Sequence, residues 1–119
     1  MRFVAFFKLL NAERIRKGRV TQITETRDNE VITIKIEGKV DTNTNLQLQD
    51  AILKSFQKVN QVVLDFEVCD YVSTAGLRVL LIGQETARSK KGTMKLVHVP
   101  AFLMKTFEIT GFVKMLTIE

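Results

Sequence analysis

The sequence predicts an α/β domain: a mixed β-sheet of about five strands with three to four helices as crossovers, preceded by an extra N-terminal amphipathic segment. Three observations carry this. Two strand-like runs joined by a polar turn open the body, and helical and strand patterns alternate after them. An unbroken apolar run, Val62-Val63-Leu64-Asp65-Phe66, leads to a hydroxyl pair, Ser73-Thr74, that opens a long segment at helical spacing. Charge is also segregated: residues 1–19 hold six Lys/Arg against one acid, Glu13, whereas residues 20–119 hold twelve of each sign.

The extra segment comes first. Phe3, Phe6, Phe7 and Leu10 fall on one side of a helix, with Lys8, Arg14 and Lys17 on others. Lys8 interrupts the apolar run and no small-residue cleavage site follows, so it does not read as a signal peptide. Three readings stand open: a helix packed on its own domain or pairing two copies as a homodimer, a membrane-surface helix, or a tail without a role. Residues 1–18 are accordingly set apart from a domain at 19–119, a length suited to a single core.

Val20–Thr24 and Glu30–Ile36 read as strands about a turn at Arg27-Asp28-Asn29; in the second, Ile32, Ile34 and Ile36 alternate with Val31, Thr33 and Lys35. Gly38-Lys39-Val40-Asp41 leaves the strand. Asn43 or Thr44 can cap a helix running to about Val59, with Leu48, Ile52, Phe56 and Val59 inward. Asp41 then reads as a turn or capping carboxylate. Gln61–Phe66, apolar without alternation, suits a central parallel strand covered on both faces.

From Thr74 to Ser89 a helical wheel turns Val79, Leu80, Gly83 and Ala87 inward and Arg78, Glu85 and Ser89 outward. Leu77 and Leu81 fall near the polar flank, where apolar side chains read either as a docking surface or as the rim of a wide core. Lys90-Lys91-Gly92 ends the helix with a C-terminal glycine. Met94–Val99 is a strand, Pro100 opens a helix carrying Phe102, Leu103, Phe107 and Ile109, Gly111 stops it, and Val113–Ile118 closes as an edge strand.

Composition narrows the function classes. A neutral body argues against nucleic-acid binding, which favours a basic face. One cysteine, Cys69, and one histidine, His98, exclude an internal disulfide and a structural zinc site; no metal or other cofactor is expected. Nothing approaches the roughly 18 unbroken apolar residues of a membrane span, and a cytoplasmic setting fits. Glycines are scattered and no Gly-Lys-Ser/Thr triplet occurs, so there is no phosphate loop. Ser73 and Thr74 have no histidine nearby in sequence, and the carboxylates Asp65, Glu67 and Asp70 straddle a strand end and a turn. The expectation is a binding module, not an enzyme. Its Ser73-Thr74 junction is a helix N-cap, which is also hospitable to a phosphate.

The runs Val62–Phe66, Tyr71-Val72-Ser73-Thr74-Ala75-Gly76-Leu77-Arg78-Val79-Leu80-Leu81 and Phe107-Glu108-Ile109-Thr110-Gly111-Phe112, with Gly38-Lys39-Val40-Asp41, together resemble the STAS family, and within it the stand-alone bacterial anti-sigma factor antagonists. The resemblance covers about residues 20–119 and implies a STAS-like sheet. It implies a partner switch: the unphosphorylated form binds an anti-sigma factor that is also a serine/threonine kinase, phosphorylation releases it, and a serine/threonine phosphatase resets the cycle. By position the phosphoacceptor is Thr74. Ser73 stands where several members carry aspartate and is the second candidate. The partner surface implied is Asp41, Ser73, Thr74, Gly76, Leu77, Arg78 and Leu81. The fold also serves as an accessory subunit that binds a transporter or other partner without phosphorylation, and a nucleotide-binding version is a third reading.

Overall fold

The computed structural model describes residues 21–119; the expectations for the amphipathic segment 1–18 and for self-association through it lie outside the described residues. Strands β1 (Gln22–Asp28) and β2 (Val31–Val40) form an antiparallel hairpin, followed by α1 (Asn45–Phe56), β3 (Gln61–Asp65), β4 (Cys69–Val72), α2 (Thr74–Ser89), β5 (Thr93–Val97), α3 (Ala101–Thr110), a 3-10 turn (Phe112–Lys114) and β6 (Thr117–Ile118). The main sheet runs β1-β2-β3-β5-β6, parallel from β2 onward, and β4 pairs in parallel with the end of β2.

The fold class is the one the pattern implied, with a sixth strand. Burial alternates along β2, so Ile32, Ile34 and Ile36 join Val62, Leu64, Met94 and Leu96 in one core with Leu48, Ile52, Phe56, Val79, Leu80, Leu103 and Phe107 from the helices. Along β3, Val63 and Asp65 are only half-buried and Gln61 is exposed. The strand expected to be covered on both faces is therefore fully covered on one.

Other boundaries shifted for local reasons. β1 reaches Asp28 because hairpin pairing carries it through Asp28↔Val31, although its polar residues give no apolar signal. Thr44 sits before α1 in helical backbone geometry and makes no capping bond. The segment 113–118 is mostly not strand: Gly111 caps α3 in the left-handed region, Phe112–Lys114 coil into the 3-10 turn, and only Thr117–Ile118 pair with β5. On α3, Leu103 and Phe107 are buried while Phe102 and Ile109 are exposed. At the end of α2 the left-handed residue is Lys91, not Gly92. Gly92 is required for space, since a Cβ there would lie 2.1 Å from the Asn60 carbonyl oxygen.

Candidate functional site at the start of α2

Backbone bonds build this site. Beyond a register shift between Gly38 and Lys39, β2 pairs with β4 through Lys39↔Tyr71 and Val40↔Val72. The Ser73 amide then donates to the Val40 carbonyl at 2.8 Å, which pins the start of α2 to the end of β2. Ser73 is extended, with φ −78° and ψ 173°, and its Oγ accepts from the Gly76 amide at 3.2 Å, the geometry of a helix N-cap. The Leu77 amide bonds back to the Ser73 carbonyl at 2.9 Å. The amides of Thr74 and Ala75 belong to the first turn, where a helix has no carbonyl of its own to offer.

The two hydroxyls therefore differ. That of Ser73 is half-buried and holds the helix, whereas Thr74, the first helical residue, is exposed. Asp41 follows Val40 directly and so lies at the same edge. Its Oδ1 accepts from the amides of Asn43 at 3.0 Å and Thr44 at 3.2 Å, and lies 3.1 Å from the Thr44 hydroxyl. That is the turn carboxylate expected from sequence, rigidifying the β2–α1 loop beside the hydroxyl pair.

The Val40–Ser73 backbone bond sets Asp41 beside Ser73 and Thr74, Arg78 is exposed one helical turn after Thr74, and Leu81 is half-buried farther along α2. The structure withdraws two residues. Leu77 is 6% exposed and belongs to the core, so it cannot supply the apolar flank expected of it. Gly76 is buried beneath the first turn, where a Cβ would lie 2.8 Å from Val72 Cγ1 and 2.9 Å from Val40 Cγ1. A wheel alone misplaces Leu77, because a helical side chain covers the turn before its own Cα. Sequence reasoning also missed Leu46, Val68 and Tyr71, all exposed, in the first turn of α1 and in the loop and strand leading to Ser73. Leu46 had a signal, being out of step with the inward series Leu48, Ile52 and Phe56. Strand β4 was hidden by its brevity.

Two further groups were candidates for chemistry. Cys69 is buried, and burial pushes its thiol up, outweighing the bond to the Tyr71 carbonyl; it stays protonated and inert. His98 Nδ1 lies 3.0 Å from Asp65 Oδ1, and that hydrogen bond, with the carboxylate's charge, raises the imidazole above its ordinary value. Asp65, Glu67 and His98 offer ligand atoms within 4.8 Å of one another at the strand ends. The grouping is open to water and Asp65 already accepts from both His98 and the Glu67 amide, so it does not amount to a metal centre. Among the described residues no helix is long and apolar enough to cross a membrane.

Comparison with known proteins agrees with this architecture. The family model described as "Mlab, STAS domain" matches residues 23–117. BtrV of Bordetella bronchiseptica, named for a proposed role as an anti-sigma factor antagonist, is 33% identical over 78 residues, 65% of this chain and 67% of that protein. A Thermotoga maritima protein with the same proposed role superposes with a TM-score of 0.75 at 11% identity, covering 81% of this chain and 84% of its own. The Bacillus cell-fate determinant SpoIIAA, solved in its phosphorylated form, superposes with a TM-score of 0.66 at 19% identity, covering 84% and 91%. With the family model spanning the described fold almost from β1 to β6, this chain belongs to the STAS domain family.

Proposed function

We propose that this protein is a non-enzymatic anti-sigma factor antagonist acting in the cytoplasm. Its unphosphorylated form binds an anti-sigma factor with serine/threonine kinase activity through the edge formed by Asp41, Ser73, Thr74, Arg78 and Leu81. Phosphorylation of Thr74 turns that binding off, and a serine/threonine phosphatase restores it. The observation that carries the reading is the division of the hydroxyl pair: Ser73 is committed as the cap and Thr74 faces solvent. The name of the Bordetella relative and the phosphorylated state of the Bacillus fold neighbour support it.

The physical case is an asymmetry. A phosphate on Thr74 adds roughly −1.5 to −2 charges. At a helix N-terminus that charge is favourable by about 0.3–1 kcal/mol, so the free antagonist keeps its fold. In a complex the same dianion must be desolvated or must face acidic groups of the kinase, which costs several-fold more. The test is incubation with the kinase expected to be its partner and mass spectrometry of the peptide spanning Ser73-Thr74, with binding measured before and after. Phosphate on Thr74 together with loss of binding is the expected result. Phosphate on Ser73, or undiminished binding of the modified protein, refutes it.

The matching family model carries the Mlab name beside the STAS name, and this favours a second reading. In that reading the same edge binds a transporter or other partner as an accessory subunit, with no phosphorylation. Partner binding without any modification of the Ser73-Thr74 peptide distinguishes it.

A further inference from the structure

Strands β3 and β5 lie side by side in parallel, with Asp65 level with Val97, and both end at the same edge of the sheet. The Phe66 amide donates to the Val97 carbonyl at 3.1 Å and closes the pairing. Beyond it the two chains part. From β3 the chain makes a tight turn, in which the Cys69 amide bonds back to the Phe66 carbonyl at 3.1 Å, and β4 starts at Cys69. From β5 it leaves through His98, whose φ of 54° lies in the left-handed region that few residues other than glycine adopt.

Asp65 joins these two exits. Its Oδ1 lies 3.0 Å from His98 Nδ1 and accepts from the Glu67 amide, inside the turn, at 3.0 Å. The Asp65 side chain is 17% exposed and that of His98 59%, so solvent protons reach the pair through the imidazole. A protonated imidazole donates from both nitrogens, and Nδ1 then always offers a hydrogen to Oδ1. The neutral ring carries one hydrogen; with it on Nε2, a lone pair on Nδ1 faces the carboxylate oxygen and the contact turns repulsive.

We infer that His98 and Asp65 form a pH-sensitive latch on the β3–β4 turn. The protonated imidazole holds the Asp65 carboxylate in the single rotamer that receives the Glu67 amide, and loss of the proton loosens the turn that delivers β4 and Ser73.

The charges around the imidazole set the direction. The hydrogen bond to Asp65 foremost, then the charges of Asp65 on β3 and Glu67 in the turn, raise it above its ordinary value. On its own strand, Lys95 is paired with Glu119 at 2.9 Å. Helix α3 starts at Ala101 with no acidic residue in its first turn, and its positive end opposes protonation without reversing the shift. The latch is therefore complete below the ordinary value of about 6.5 and opens as pH rises through the folded value. Cys69, at the far end of the turn, is pushed above the usual thiol range by burial and does not titrate in this window.

NMR on the full chain between about pH 6 and about pH 8 tests this, following the imidazole of His98, the only histidine, and solvent exchange of the Glu67 amide corrected for its intrinsic pH dependence. Protection of Glu67 is expected to fall about threefold or more, in keeping with one weakened hydrogen bond, at the midpoint of the imidazole. The Asn43 amide, which donates to Asp41 Oδ1 at 3.0 Å in the same two-residue arrangement without a histidine, is expected to keep constant protection. His98→Asn, which suits left-handed backbone, is expected to make Glu67 as flat as Asn43. The comparison of Glu67 with Asn43 needs no variant. Glu67 protection that stays constant or rises through the imidazole midpoint overturns the inference, and so does a fall of equal size at Asn43 or in His98→Asn.

Discussion

Separating the two hydroxyls by substitution tests the site most directly, because the structure gives them opposite tasks. Ser73→Ala removes the acceptor 3.2 Å from the Gly76 amide. Loss of such a cap costs typically about 1 kcal/mol. For a body of about 100 residues that lowers Tm by roughly 4–8 °C. Thr74→Ala removes an exposed side chain at the first helical position and should change stability by no more than about 0.5 kcal/mol. Thr74→Glu adds a negative charge to the N-terminal turn and should hold or raise Tm by a few degrees, in line with about 0.3–1 kcal/mol from the dipole. Urea unfolding read by far-UV circular dichroism gives the stabilities, and titration calorimetry against the anti-sigma factor gives the affinities. The expected pattern is crossed: Ser73→Ala loses stability and retains most binding, whereas Thr74→Glu retains stability and loses binding. If Thr74→Ala destabilised by well over 1 kcal/mol, or Ser73→Ala cost nothing, the assignment of cap and acceptor would be wrong.

Other expectations follow from packing and charge. Gly76→Ala places a methyl against Val72, Val40 and the Val40 carbonyl, so overpacking of about 1–3 kcal/mol should outweigh the helix gain of about 1 kcal/mol, whereas Gly83→Ala meets chiefly the flexible Met94 sulfur and should fall closer to neutral in the same unfolding assay. Leu77→Ala should cost about 2–5 kcal/mol as a core truncation, while exposed Arg78→Ala should stay within about 0.5 kcal/mol and show its effect in partner affinity. His98, the only histidine in the sequence, gives a single imidazole signal whose NMR titration should lie above the ordinary value of about 6.5. Because its folded pKa is raised, the Asp65 contact stabilises fully below about pH 6.5 and is lost as pH rises through the folded value; a Tm advantage over His98→Gln should shrink across that window.

Legibility in the sequence followed the length of each pattern. β2 and α2 are long enough for their periods to show, and the inward residues Ile32, Ile34, Ile36, Val79, Leu80, Gly83 and Ala87 are all legible in the sequence. β4 has four residues, two of them exposed, and owes its existence to the free end of β2 rather than to a pattern of its own. Val113–Ile118 failed for the opposite reason: β propensity is present, but Gly111 sends the chain into a turn that buries Leu116 before pairing can start. At the site, the cap and the exposed acceptor candidate were legible because capping is local. The burial of Gly76 was not, since it depends on Val40 and Val72 arriving from two strands.

The bond from Ser73's amide to Val40's carbonyl has an evolutionary consequence. A main-chain bond ties the start of α2 to the end of β2, and this tie does not depend on the exposed side chains around it. Leu46, Val68, Tyr71 and Arg78 can therefore change while the Ser73-Thr74 pair keeps its place beside the β2–α1 loop.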